Sequence, residues 1–221
     1  MKEGTIYASR LRKVYGKLRQ SLPDLVVPEP DDPVRRLAIA VIGESRSDED
    51  ANRAIDRALA TMVDWNEIRV SNAEELNAAM GNTKPEGLTR CQRLIDALGA
   101  IFTRENRLSL DRLKGLGRRE ARQYLEALAG VDEYTVASVL LWCLGGHAIP
   151  VNDALHEALR KAELVHPTAT RAEVQAFLER NVNASQAKGF CVVMRLFSSG
   201  KLAVPDSGKA AHGTRKKGVV R

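Results

Sequence analysis

Residues 124–161 read YLEALAGVDEYTVASVLLWCLGGHAIPVNDALHEALRK. From Tyr134 to Leu144 this stretch carries no charge. A helix that is apolar on every side is one that is buried on every side, and Gly145-Gly146 is a common helix stop. Ahead of it, Leu128-Ala129-Gly130-Val131 reads as a tight turn between two helices. The Leu packs, the Gly permits a left-handed or closely approached backbone, and Val131 tucks under the turn before a new helix starts. Behind it, Pro150, Val151, Asn152 and Asp153 precede an amphipathic run. Asn and Asp are among the best helix N-caps, so this acid beside an amide is either a cap or the centre of a site.

A hairpin of this kind turns backbone N–H groups outward at a helix N-terminus. Those donors and the helix dipole suit a phosphate oxygen and can hold a nucleic-acid backbone without reading bases. The plain alternative is a packing turn between helices. A second stretch, Leu113 to Ala121 (LKGLGRREA), has the same logic.

Helical periodicity extends outward in both directions. Ile6, Leu11, Val14, Tyr15 and Leu18 share roughly one face of a short amphipathic helix. PDLVVPEPDDP, from Pro23 to Pro33, is an extended connector. VRRLAIAVIGES (34–45) has the Val and Ile of a strand, but its helical surroundings predict a buried helix. Ser47 or Asp48, and Ser71 or Asn72, are expected N-caps with acids in the turns that follow. Leu88, Cys91, Leu94, Ile95, Leu98 and Ile101 lie at helical spacing, and amphipathic runs continue through residue 200. About ten helices with short loops predict an all-α protein. From Gly208 onward the chain has no core-forming pattern and reads as a mobile tail.

The bulk numbers set the class. The 221 residues are enough for a well-buried core, and 44% apolar with 28% charged residues is ordinary for a globular chain. A net charge of +6 favours a polyanionic partner, and the basic residues gather at the two ends. Aromatics at 5% argue against broad stacking platforms for single strands. Cys91, Cys143 and Cys191 stand too far apart to read as a zinc or iron–sulfur ligand set, so no metal or other cofactor is expected. His147 and His156 have no partners at ligand spacing. No apolar run is long enough to cross a membrane and the start lacks a signal-like core, so a cytoplasmic (nucleoid-associated) or nuclear protein is expected rather than a secreted one.

Taken together, LAGV, YT and VLLWCLGGHAIPVNDALHEALRKAELV resemble the helix-hairpin-helix DNA glycosylases of the endonuclease III superfamily. The family pattern there is L-P-G-V-G-x-K-T-A, an apolar helix, a small-residue turn, and P-V-D-T-x-V-x-R-V-L. Upstream, VIGESRSDEDANRA is similar to the family's I-L-S-Q-N-T-S-D-E-N-A-x-R-A, and the resemblance covers roughly residues 32–200. It implies two helical lobes with a cleft between them. Residues 32–146 would form the contiguous lobe containing the hairpin. Residues 1–31 and 147–207 would form the discontinuous lobe, and 208–221 the basic tail. It also implies a monomer that binds double-stranded DNA, with the target nucleotide rotated into the cleft. Only the turn after Leu128 has the family's short spacing to Asn152, so the resemblance implies that this turn is the anchor and LKGLGRREA a packing turn.

The resemblance also shows where this chain departs. Asn152 stands where the family has its catalytic aspartate, and Asp153 falls one place later. A neutral carboxamide cannot stabilise positive charge developing on the deoxyribose, so Asp153 is the candidate carboxylate and Asn152 the candidate cap. Tyr134 takes the place of the lysine that forms a Schiff base, which leaves no amine for a lyase step. Asp132 replaces the second hairpin glycine, and Glu44 sits where a wedge glutamine is common. Both are anions on a face expected to meet phosphate. The four-cysteine loop is missing. Expected DNA contacts are Gly130, Val131, Asp132 and Thr135 in the hairpin, Glu44 and Ser45 at the wedge, and Lys216 and Lys217 in the tail. Three readings stay open: a monofunctional glycosylase, a catalytically silent DNA-binding relative, and a helical scaffold that does not touch DNA.

Overall fold

The computed structural model describes residues 4–30, 32–44, 47–82 and 85–204, apart from the Glu86 side chain. Ser45, Lys216 and Lys217 lie outside that set. Every regular element among the described residues is helical. Helices α1 (Gly4–Gln20), α2 (Pro33–Gly43), α3 (Asp48–Thr61), α4 (Trp65–Val70), α5 (Ala73–Ala79) and α6 (Leu88–Glu105) come first. They are followed by α7 (Arg118–Glu126), α8 (Glu133–Cys143), α9 (Asp153–Lys161), α10 (Arg171–Asn181) and α11 (Ala187–Ser198).

Local chemistry sets most helix starts. Asp32 accepts from the Arg35 amide at 2.9 Å, and Pro33 opens α2 where its missing N–H costs nothing. The apolar 34–42 segment is therefore a helix, not a strand, and all of it except Arg35 is buried. Ser47 caps α3, and Asn72 with Glu75 forms a capping box on α5. Asp132, Asn152 and Thr170 cap α8, α9 and α10.

The apolar side chains gather in two cores. One runs from Val34 to Ala148 and is built from α2–α8. The other joins Tyr7, Ala8, Leu11 and Leu18 of α1 to Leu155, Leu159, Phe177, Phe190 and Met194 of α9–α11. Helix α8 belongs to both. Val136, Val139 and Leu140 face the first core, and Leu141 and Trp142 the second. Nine of its eleven residues are buried, which is why its sequence shows no polar stripe.

Polar side chains also join the two halves. Arg195 of α11 pairs with Asp48 of α3, which also accepts from Arg36 of α2 at 2.9 Å. The Trp142 ring lies beside both cations, 5.5 Å from the Arg36 guanidinium carbon and 5.3 Å from that of Arg195. Lys201 reaches Glu49 at 2.9 Å, and Arg171 of α10 reaches Glu44 at 3.5 Å. In each of these cross-links the acid comes from the α2–α3 side and the base from α10, α11 or the segment just after α11.

Leu113 is buried in the first core and Leu116 packs against it, so LKGLGRREA is a packing turn. The turn after Leu128 is different. Leu128 is buried, Ala129 and Glu133 are exposed, and Gly130 has φ +73°. A Cβ at Gly130 would lie 2.1 Å from the Arg93 carbonyl oxygen of α6. Glycine is required here twice, for the left-handed backbone and for the close approach to α6. Gly130→Ala is expected to lower stability by about 2–4 kcal/mol through strain plus overpacking. Urea unfolding followed by circular dichroism measures this, and a loss below about 0.5 kcal/mol would contradict it.

Candidate functional site

The hairpin is held from beneath by one arginine. Arg93 Nε donates to the Gly130 carbonyl at 3.0 Å. Its two terminal nitrogens reach Glu44 Oε2 at 2.7 Å and Asp132 Oδ2 at 2.9 Å. The two anions that depart from the family pattern therefore face an internal cation. Asp132 is also the N-cap of α8, accepting from the Thr135 amide at 2.8 Å. Burial opposes its ionisation, but the hydrogen bonding from Thr135 and the Arg93 charge outweigh burial and hold its carboxyl below the usual range. The Gly130 and Asp132 amide hydrogens have no protein acceptor among the described residues. Both residues are half-buried beside the exposed Ala129, at the start of α8.

The start of α9 separates its two polar residues. Asn152 Oδ1 accepts from the Leu155 amide at 2.9 Å, so its side chain is turned along the helix as a cap. Asp153 is the first residue of α9, and its side chain is 72% exposed. Arg171 NH1 lies 3.2 Å from Asp153 Oδ1 and 3.5 Å from Glu44 Oε1. Asp153 thus stands at the junction of the two halves, one guanidinium away from the end of α2. Arg171 opens α10, where the helix dipole disfavours a cation. Its carboxylate partners offset that.

Tyr134 is 6% exposed, with Asp48, Arg195, Arg36 and Ser138 as its polar surroundings. Burial, with a smaller contribution from Asp48, outweighs the arginines and pushes the phenol up to about 12. It is neutral at working pH and lies in the joint between the halves. Val131 is half-buried against the first core, and Thr135 is fully buried. His147 Nε2 lies 2.8 Å from the Val182 carbonyl, and His156 Nε2 lies 2.8 Å from the Ala169 carbonyl. Both are structural. Among the described residues, no group of three or more His, Cys, Asp and Glu side chains is placed to hold a metal ion. No described helix is long and apolar enough to cross a membrane.

Similar geometry is found in solved structures. Endonuclease III trapped as a covalent intermediate with DNA superposes at a TM-score of 0.68 and 16% identity, over 86% of this chain and 85% of that one. The chain thus shares the all-helical fold of endonuclease III. The 3-methyladenine DNA glycosylase of H. pylori, bound to 1,N6-ethenoadenine, shares the fold at 0.64 and 15% identity, over 86% of this chain and 98% of that one. The 3-methyladenine DNA glycosylase of Schizosaccharomyces pombe, in complex with abasic DNA, gives 0.62 and 16%, over 93% and 100% of the two chains. In sequence, a protein of Arabidopsis thaliana provisionally described as a DNA glycosylase is 23% identical over 144 residues, 64% of this chain. That match spans 48% of the plant protein, so the chain covers about half the length of this curated relative. No family model matches.

Arg93 and Arg171, which organise the site, carry no motif in the sequence. A base in the first turn of α10 was the one available signal for Arg171. The depressed acidity of Asp132 sets a pH dependence. A carboxyl whose folded pKa lies below its unfolded value stabilises the fold above the unfolded value of about 4, and loses that contribution as pH falls through the folded value. Asp132→Asn keeps a capping side chain but removes this ionisation. Melting temperatures from pH 6 down to about pH 2 are expected to fall less steeply for the variant. Parallel curves would show that Asp132 contributes nothing as an anion.

Proposed function

We propose that this protein binds duplex DNA as a monomer through the turn after Leu128. We further propose that it hydrolyses the N-glycosidic bond of a nucleotide rotated out of the duplex, with Asp153 as the working carboxylate and without a lyase step. The observation that carries this is the division of labour at the start of α9. Asn152 is occupied as a cap, while Asp153 is exposed at the junction and is linked through Arg171 to Glu44. The similar solved proteins that were captured with DNA support the choice of ligand.

The chemistry follows from charge. As the bond from C1′ to the base breaks, its electron pair leaves with the base and positive charge builds on the sugar. A carboxylate close to that charge in a water-poor cleft is worth several kcal/mol. Water then adds to C1′ and gives up a proton, for which Asp153 is the acceptor. In the free protein Arg171 pairs with Asp153. A DNA phosphate offers Arg171 a stronger partner and leaves the carboxylate unpaired. Tyr134 has no amine, so no imine forms there. Residues Lys216 and Lys217 add phosphate contacts in this reading.

A second reading, DNA binding without excision, is favoured by two observations: the carboxamide of Asn152 in the aspartate position, and the buried phenol of Tyr134. Base release from a panel of duplexes carrying alkylated, oxidised, deaminated and mismatched bases separates the two. Excision predicts release from at least one duplex, abolished by Asp153→Asn and retained by Asn152→Ala. Binding without release anywhere in the panel leaves the second reading. In both, affinity falls steeply with salt, on the order of a hundredfold between about 50 and 200 mM for four phosphate contacts. A flat response, or no retention on duplex DNA, overturns both.

A further inference from the structure

At the far end of α8 from the hairpin, a cleft of about 480 Å3 opens between the end of α1, the connector after it, the Gly145-Gly146 turn and the start of α11. Tyr15, Leu25 and Leu141 provide an apolar wall. Arg19 and Lys188 provide two cations, both half-buried, and no carboxylate lines the space. Arg19 donates to the Leu22 carbonyl. Lys188 Nζ lies 3.4 Å from the Trp142 carbonyl and 6.0 Å from the centre of its ring. Neither has an acidic partner among the described residues. Two cations drawn partly out of water without a counter-charge leave a positive potential in the cleft.

The backbone adds to it. The helical stretch that begins at Ala184 and continues into α11 has no side-chain cap at Asn183 or at Gln186. The Gln186 amide donates to the Asn183 carbonyl at 2.9 Å and that of Ala187 to Ala184, which leaves the N–H groups of Ala184 and Ser185 without an intrahelical acceptor, and both residues line the cleft. Cations, helix dipole and free donors converge beside an apolar wall large enough for a small ring.

We propose that this cleft is a binding site for a small phosphomonoester carried on an apolar or aromatic body. Arg19, Lys188 and the amides of Ala184 and Ser185 would hold the phosphate, and Tyr15, Leu25 and Leu141 would cover the body. The site is separate from the hairpin. Helix α8 lies between them, and its eleven residues span about 16 Å at 1.5 Å per residue.

Titration of the full chain with phenyl phosphate and with inorganic phosphate, followed by calorimetry and amide NMR, tests this. Phenyl phosphate is expected to saturate and to bind about tenfold more tightly than inorganic phosphate, with shifted amides confined to the cleft. Lys188→Gln and Arg19→Gln should each weaken it by about tenfold, and Arg19→Lys by no more than about threefold. Melting temperatures without ligand show that each variant is folded, and Lys188→Gln stands alone if Arg19→Gln is not. Three results overturn the proposal: no saturation at millimolar ligand, undiminished binding to a folded Lys188→Gln variant, or displacement of phenyl phosphate by duplex DNA, which would make the cleft part of a nucleic-acid surface.

Discussion

Helix α8 is the member on which the rest of the structure depends. It is buried nearly all round and contributes to both cores, so neither half can be completed without it. Its two ends emerge on different faces. The N-terminus, capped by Asp132, carries the hairpin turn, and the C-terminus runs into the Gly145-Gly146 bend and the cationic cleft. Burial of one apolar segment thus fixes where two polar surfaces sit.

The hairpin shows how sequence departures acquire meaning from what lies beneath them. Asp132 and Glu44 read as repulsive to phosphate when only their charge is considered. In the fold they share Arg93, and Asp132 also caps the helix behind it. Repulsion by a carboxylate is discounted when a guanidinium lies within 3 Å of it. What remains at the turn is backbone, with the Gly130 and Asp132 amides left without a protein acceptor among the described residues.

Much of this was legible in the chain itself. The apolar run of α8, the glycine at 130, a helix start at Ser47 or Asp48 and another at Ser71 or Asn72, and the helical nature of residues 34–42 all follow from period, cap chemistry and composition. Whether Asn152 or Asp153 would reach the junction was not legible, because it depends on the helix register and on Arg171, a residue eighteen positions further on. Arg93 was hidden for a similar reason. On α6 it reads as one more polar residue among apolar ones, and only the closeness of Gly130 to its carbonyl reveals its task. The Arg36–Asp48–Arg195 group around Trp142 joins four helices, and no local spacing announces it.

The polarity of the bridges between the halves has a consequence for how such a chain can vary. Asp48, Glu44 and Glu49 stand on one side, and Arg195, Arg171 and Lys201 on the other. Reversing a sign on either bank alone sets like charges face to face, and restoring attraction needs a compensating reversal opposite. Residues around the two cores are thereby bound to drift in concert, even though each core is enclosed by side chains of its own.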